Sequence, residues 1–298
     1  MSIPSGPPGV QQTLKVDRIG RNLLFTTALI RHEISPGVVV SGTSFFYDGL
    51  VGGEGENVSL PMLITNKHII AGATRGTVRL IRAKDGEPHL GHAVDLSFVE
   101  ADWVGHPDPQ VDVAAVQIGP SLSDFERKGT PVFHRQIGRD LLPSDEVIED
   151  LDVVEPVTFV GYPNSLYDSK NLTPILRRGT TATPVQLDYC GTPQFLIDAS
   201  IFPGSSGSPV FIINENGYRQ GNTNIIGSSR ILFLGVVAAV HQQAGAGRIA
   251  TSTSPTIQFD QMIDLGLVFK WTAVEETVDE LCRQRGINRH HPALPEPA

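Results

Sequence analysis

Two cysteines, Cys190 and Cys282, are all that this chain of 298 residues contains, too few for the disulfide framework that holds small secreted domains together. Long hydrophobic runs are missing too, and nothing approaches the ~20 apolar residues of a membrane-spanning helix. The N-terminus, Met1-Ser-Ile-Pro-Ser-Gly-Pro-Pro-Gly9, lacks the basic patch and apolar core of a secretory signal. Positive charge is scarce: 23 Lys and Arg against 32 Asp and Glu give a net charge of -9, which favours solubility and counts against nonspecific binding of nucleic acid. No Cys, His or acid cluster has the spacing of a metal site, so neither metal nor cofactor is expected. These absences lead to the expectation of a soluble protein of the reducing cytoplasm, with no membrane or nucleic-acid partner.

Turn formers are abundant. Thirty glycines and 22 prolines punctuate short apolar or alternating runs, which is the pattern of an all-β protein. Such runs recur at 38–40, 42–47, 77–81, 157–160, 194–197, 210–213 and 232–240. With 40% hydrophobic residues, the chain can bury a sizeable core in one large or two small domains. No internal repeat is evident.

Within this pattern, Phe202-Pro-Gly-Ser-Ser-Gly-Ser-Pro-Val-Phe211 sets Ser206 between Gly204 and Gly207. Glycine at 204 can take backbone angles closed to other residues, so the N–H groups of Gly204 and Ser206 can turn toward one point and stabilise an oxyanion. A serine hydroxyl also needs a base to take its proton, and the base needs a partner that fixes its tautomer. The run Met62-Leu-Ile-Thr-Asn-Lys-His-Ile-Ile70 breaks its strand pattern at Thr65-Asn66 and delivers His68 just past the strand end. Asp112 opens Asp112-Val-Ala-Ala-Val-Gln-Ile118, where an ionised group leading into an apolar strand requires a hydrogen-bonded partner. Singly, these residues read as a core histidine, a turn aspartate and a loop serine. Their joint occurrence, in the order His68, Asp112, Ser206, favours nucleophilic catalysis.

That order resembles the chymotrypsin/trypsin-type serine peptidases, and it differs from α/β-hydrolases, where serine comes first, and from subtilisin-like enzymes, where aspartate does. Thr65-Asn66-Lys67-His68, Asp112-Val-Ala-Ala-Val and Asp198-Ala-Ser-Ile-Phe-Pro-Gly-Ser-Ser-Gly-Ser-Pro209 are similar to the histidine, aspartate and serine motifs of HtrA-like and other bacterial trypsin-like peptidases. The resemblance covers residues 22 to 270 and implies an all-β fold: two antiparallel Greek-key barrels of about six strands each, an active site in the cleft between them, and a C-terminal α-helix. It also implies that Gly204 and Ser206 form an oxyanion hole, and that Ser200, Ile201 and the stretch Val237, Ala238, Ala239 and Val240 border the substrate pocket. No acid lies among these pocket residues, so an apolar or small side chain is expected there and a preference for Arg or Lys is not. The implied function is serine endopeptidase action on protein or peptide substrates, of restricted specificity and of bacterial origin. A regulatory protein partner is left open.

Two departures from the family's pattern keep a second reading in view. Digestive relatives carry an aspartate immediately before the catalytic serine, where this chain has Ser205, and many relatives carry a serine where it has Ala238. Without that serine hydroxyl, Asp112 is one donor short unless a backbone N–H replaces it. The alternative is therefore a catalytically dormant protein of the same fold that binds peptides or serves as a scaffold.

The expected layout is an N-terminal extension over 1–20, a first barrel over 21–120, an interdomain linker over 121–155, a second barrel over 156–270, a helix over 271–287 and a disordered tail over 288–298. The helix is read from a capping-box pattern at Thr272-Ala-Val-Glu275 and an apolar face of Val274, Val278 and Leu281. No PDZ-like domain is expected after it. Of the remaining histidines, His32, His89, His92, His106 and His134 are expected at the surface. His241 follows an apolar strand that borders the pocket in the family and is a candidate for substrate contact, whereas His290-His291 belongs to the tail.

Overall fold

A computed structural model describes residues 13–35, 37–51, 58–221, 223–240 and 264–289 of the chain. His241, residues 52–57, the tail from 290 and the side chains of Ala239 and Val240 lie outside the described residues. After the short helix α1 (Ile19–Leu23), seven strands form the first sheet: β1 (Thr27–Ser35), β2 (Val38–Asp48), β3 (Pro61–Thr65), β4 (Gly76–Lys84), β5 (Glu87–Phe98), β6 (Val104–Gly105) and β7 (Ala114–Gln117). Their order is β5-β4-β1-β2-β3-β7-β6. Strand β4 returns to lie beside β1, a Greek-key arrangement. Seven strands appear where about six are expected because Val104 and Gly105 pair with Ala115 and Ala114 as a strand of their own. Among the described residues β5 and β6 do not pair, so this barrel-like sheet keeps one seam.

The second unit is a closed barrel of strand order β10-β15-β14-β11-β8-β9. Its members are β8 (Pro156–Gly161), β9 (Ile175–Thr181), β10 (Gln194–Asp198), β11 (Pro209–Asn214), β14 (Arg230–Val240) and β15 (Leu265–Lys270), with the hairpin of β12 (Gly217–Gln220) and β13 (Thr223–Ile226) set apart. Strand β11 lies beside β8, which repeats the Greek key. Two helices, α3 (Gly119–Arg127) and α4 (Asp145–Glu149), occupy the connection between the units. The acidic run there becomes one helical turn, capped by the Ser144 hydroxyl accepting from Val147 N at 3.4 Å.

The two cores merge along β2. Phe45 and Tyr47 meet Phe233 of β14 with ring centroids 5.5 and 6.2 Å apart, contacts that add to the burial of the rings themselves. Across this junction runs the C-terminal helix α5 (Trp271–Arg285), whose buried stripe is Trp271, Ala273, Val274, Thr277, Val278, Leu281 and Cys282. It packs on β14 and β15 and also on β6 and β7, so it straps both units together. Thr272 and Glu275 do not form the expected capping box: the N-cap is Lys270, two residues before Thr272, and no side chain caps it. The Glu275 carboxylate is drawn off elsewhere, bound by Tyr47 Oη at 2.5 Å, Arg139 at 2.5 Å and Arg289 at 2.6 Å. Burial, with Glu275 alongside, pushes the Tyr47 phenol well above its ordinary range.

Three histidines expected at the surface are not there. His32 is buried because β1 is flanked by β2 and β4. His106 is buried, with its ring bonded to Glu276 of α5. His134 is half-buried against the Phe46 ring, and burial lowers its pKa. Among the described residues, no helix is long and apolar enough to cross a membrane.

Candidate active site

The strand β3 ends at Thr65, and α2 (Lys67–Ile70) begins two residues later, so the chain turns sharply and leaves His68 exposed at the rim. Asp112 sits two residues before β7, the strand that pairs with β3. This adjacency brings the two side chains together. His68 Nδ1 lies 2.5 Å from Asp112 Oδ2, and the backbone N–H of His68 donates to Asp112 Oδ1 at 3.0 Å. The donor made uncertain by Ala238 is thus a backbone amide. With its proton on Nδ1 facing a carboxylate, the ring keeps Nε2 as an acceptor. Asn66 Nδ2 donates to the Asp112 carbonyl at 2.6 Å, and Lys67 Nζ donates to the carbonyls of His106 and Asp108 at 2.7 and 2.8 Å. Burial lowers the Lys67 ammonium's pKa, while Asp112 and Asp108 pull it the other way.

Across the junction, Ser206 is half-buried in the loop before β11. The carbonyl of Pro203 accepts from Asn164 N at 2.5 Å and that of Ser205 from Ser208 N at 3.0 Å. In a trans peptide N–H and C=O point in opposite directions. The N–H groups of Gly204 and Ser206 are therefore turned away from those anchors, and neither donates to another described residue. Gly204 has φ +87°, and a Cβ there would lie 2.5 Å from Tyr162 O, so only glycine fits. The Ser206 hydroxyl donates to Ala238 O at 2.9 Å. Among the described residues no hydrogen bond joins it to His68.

Of the expected pocket residues, Ile201, Val237 and Ala238 are buried in the core of the second barrel and Ser200 is half-buried. Ser205 is buried, and its hydroxyl has no partner among the described residues. Thr43, which touches the nucleophile loop directly, escaped the reading of the sequence, whereas Asn164 lies in the turn over 161–169 that resembles a loop able to shape the active site in the family. Among the described residues, no group of three or more His, Cys, Asp and Glu is set to hold a metal ion.

Two antiparallel barrel-like units that offer an oriented histidine from one and a glycine-flanked serine from the other have the build of the chymotrypsin fold. The model of the trypsin-like peptidase domain matches residues 37–218, and the chain belongs to that family: it is a trypsin-like serine peptidase, a hydrolase of protein or peptide substrates. No curated protein matches it. Among solved structures it is similar to the protease Rv3671c of M. tuberculosis in its active form, at 16% identity and TM-score 0.47 over 98% of this chain and 96% of that one. It is also similar to the HtrA-type protease AlgW with tripeptide, at 15% identity and TM-score 0.47 over 89% and 62% of the two chains. The protease Anisep from Arthrobacter nicotinovorans has 14% identity and TM-score 0.45 over 85% and 93%.

Proposed function

We propose that this peptidase cleaves internal peptide bonds by acyl transfer through Ser206, His68 and Asp112, with the amides of Gly204 and Ser206 as its oxyanion hole. The observation that carries the proposal is the pair of bonds from Asp112 to His68, at Nδ1 and at the backbone N–H, which orient the ring as a base. Turning the Ser206 hydroxyl from Ala238 O to His68 gives up one neutral hydrogen bond, a cost of about 1 kcal/mol that substrate contacts offset. Ser206 Oγ then bonds to the carbonyl carbon as its proton passes to His68, and the charge on the carbonyl oxygen is met by the two amides. His68 returns the proton to the leaving nitrogen as the C–N bond breaks. Water, deprotonated by His68, cleaves the acyl ester and restores Ser206.

Ser200, Ile201 and Val237 to Val240 carry no charge, which supports an apolar or small residue before the scissile bond. Both cysteines are free, one exposed and one buried, which fits work in a reducing compartment such as a bacterial cytoplasm. The dormant-scaffold reading has one observation in its favour, the hydroxyl of Ser206 resting on Ala238 O.

A fluorophosphonate probe separates the two readings by intact mass. Stoichiometric addition to the wild type, abolished in Ser206→Ala and cut by at least about 10⁴-fold in His68→Ala, is expected. No addition to the folded wild type would favour the scaffold.

A further inference from the structure

We infer that Thr43 is a positioning residue for the oxyanion hole: its hydroxyl, presented by the first barrel, holds the Gly204 carbonyl and so restrains the peptide planes on either side of it, whose amides receive the developing charge. The inference rests on acyl transfer at Ser206.

Thr43 is fully buried, and a buried hydroxyl is costly unless it is bonded. A hydroxyl has one proton and two lone pairs, and here all three are engaged. Thr43 Oγ1 donates to Gly204 O at 2.9 Å, accepts from Tyr162 N at 3.1 Å and is approached by Ser208 Oγ at 3.4 Å. The backbone of the same residue works in parallel: its N–H donates to Ser206 O at 2.9 Å, and its carbonyl accepts from Thr65 Oγ1 at 2.7 Å. One residue thereby touches the nucleophile loop, the turn at 162–165 and the end of β3, three positions before His68.

This arrangement fixes the peptide planes that aim the hole. Asn164 N holds the Pro203 carbonyl, which shares its peptide plane with the Gly204 N–H, and Thr43 holds the carbonyl of the next plane, so Gly204 is pinned on both sides. The need for pinning is local, because glycine at φ +87° has many alternative conformations. The turn that shares the task is itself strained, with Asn164 and Ser165 at φ 49° and 59°. It is tied back to β2 by Ser165 Oγ, 2.6 Å from Ser41 Oγ. Ser41 is two residues before Thr43, on the same face of the strand. Without the Thr43 hydroxyl, the Gly204 carbonyl and the Tyr162 N–H are both left unpaired beside the hole. The expected result is a misaimed amide, with no loss of substrate contact.

Thr43→Val keeps the shape and removes the hydroxyl, whereas Thr43→Ser keeps the hydroxyl. Labelling by the fluorophosphonate is followed over a range of probe concentrations, and melting temperature is recorded for each variant. Valine should lower the saturating rate about 10- to 100-fold with the half-saturating concentration changed by less than about twofold, and serine should stay within about threefold of wild type. The inference is overturned by valine labelling at the wild-type rate, by serine and valine falling equally, or by a change confined to the half-saturating concentration. If valine does not fold, Thr43→Ala carries the same test; if neither folds, Thr43 serves folding and the inference fails. Unlabelled wild type would sink acyl transfer itself, a result distinct from all of these.

Discussion

The two halves of the site are held in different ways. The bonds that orient His68 come from within the first sheet and its adjoining loops: Asp112, Asn66 and Lys67 all lie in segments next to β3 and β7. The loop that carries Ser206 is held from outside its own neighbourhood, by Thr43 of the first sheet, Asn164 of the turn after β8, and Val237 of β14, whose carbonyl accepts from Gly207 N at 2.8 Å. The bonds to the base thus lie within one unit, whereas the nucleophile loop is held by its own unit and, through Thr43, by the other as well. Control over activity is accordingly concentrated in the second half, where the bonds from Thr43 cross from one unit to the other.

The largest effect should come from the first half. In Asp112→Asn the amide can accept from the His68 backbone N–H but presents its NH₂ to Nδ1. The proton then moves to Nε2, where it blocks acceptance from Ser206. Fluorophosphonate labelling should fall about 10⁴-fold with little change in melting temperature. The far-downfield proton NMR signal of the bonded Nδ1–H should vanish with it. Labelling within about tenfold of wild type would mean that the pair of bonds to Asp112 does not activate the base.

Gly207→Ala strikes the other half. A Cβ at this position would fall 1.8 Å from the Thr43 carbonyl and 2.8 Å from Thr65 Oγ1, at φ +86°. Backbone must move, at an expected cost of about 3 kcal/mol or more, measured by urea unfolding. Labelling should be lost in the protein that remains folded, while the His68 Nδ1–H signal persists. Loss of that signal in folded protein would show that the two halves are not separately built.

The same contrast explains what could be read from the sequence. His68, Asp112 and Ser206 were legible because each sits at a strand end beside a break in pattern, and the strands of the second barrel that are buried on both faces, such as β11 and β14, stood out as apolar runs. The sequence did not disclose β5 or β9, whose residues are largely exposed or half-buried and whose polar positions, Arg177 and Arg178 among them, mask any alternation. Thr43 acts on Gly204 across 161 positions and Asn164 on Pro203 across 39, distances that no local periodicity registers. His32 and His106 stand among polar neighbours in sequence yet are covered by β2, β4 and α5. Glu275 reads as a helix cap only until Tyr47, Arg139 and Arg289 are folded against it.

The smallest effect tests whether the first half is as local as its bonds suggest. The helix α5 meets the loop before Asp112 at Glu276 Oε2, 2.8 Å from His106 Nε2, while His106 Nδ1 accepts from Asp108 N at 3.0 Å. The ring is thus neutral, with its proton on Nε2. Its side chain is 4% exposed, whereas that of Glu276 is 57% exposed, so solvent screens the pair and water can take the carboxylate's place. Glu276→Ala should cost about 1 kcal/mol in urea unfolding, and labelling should stay within about twofold of wild type. If labelling instead falls by tenfold or more with the fold intact, the position of Asp112 depends on the strap, and the base half, like the nucleophile half, is held from outside its own unit.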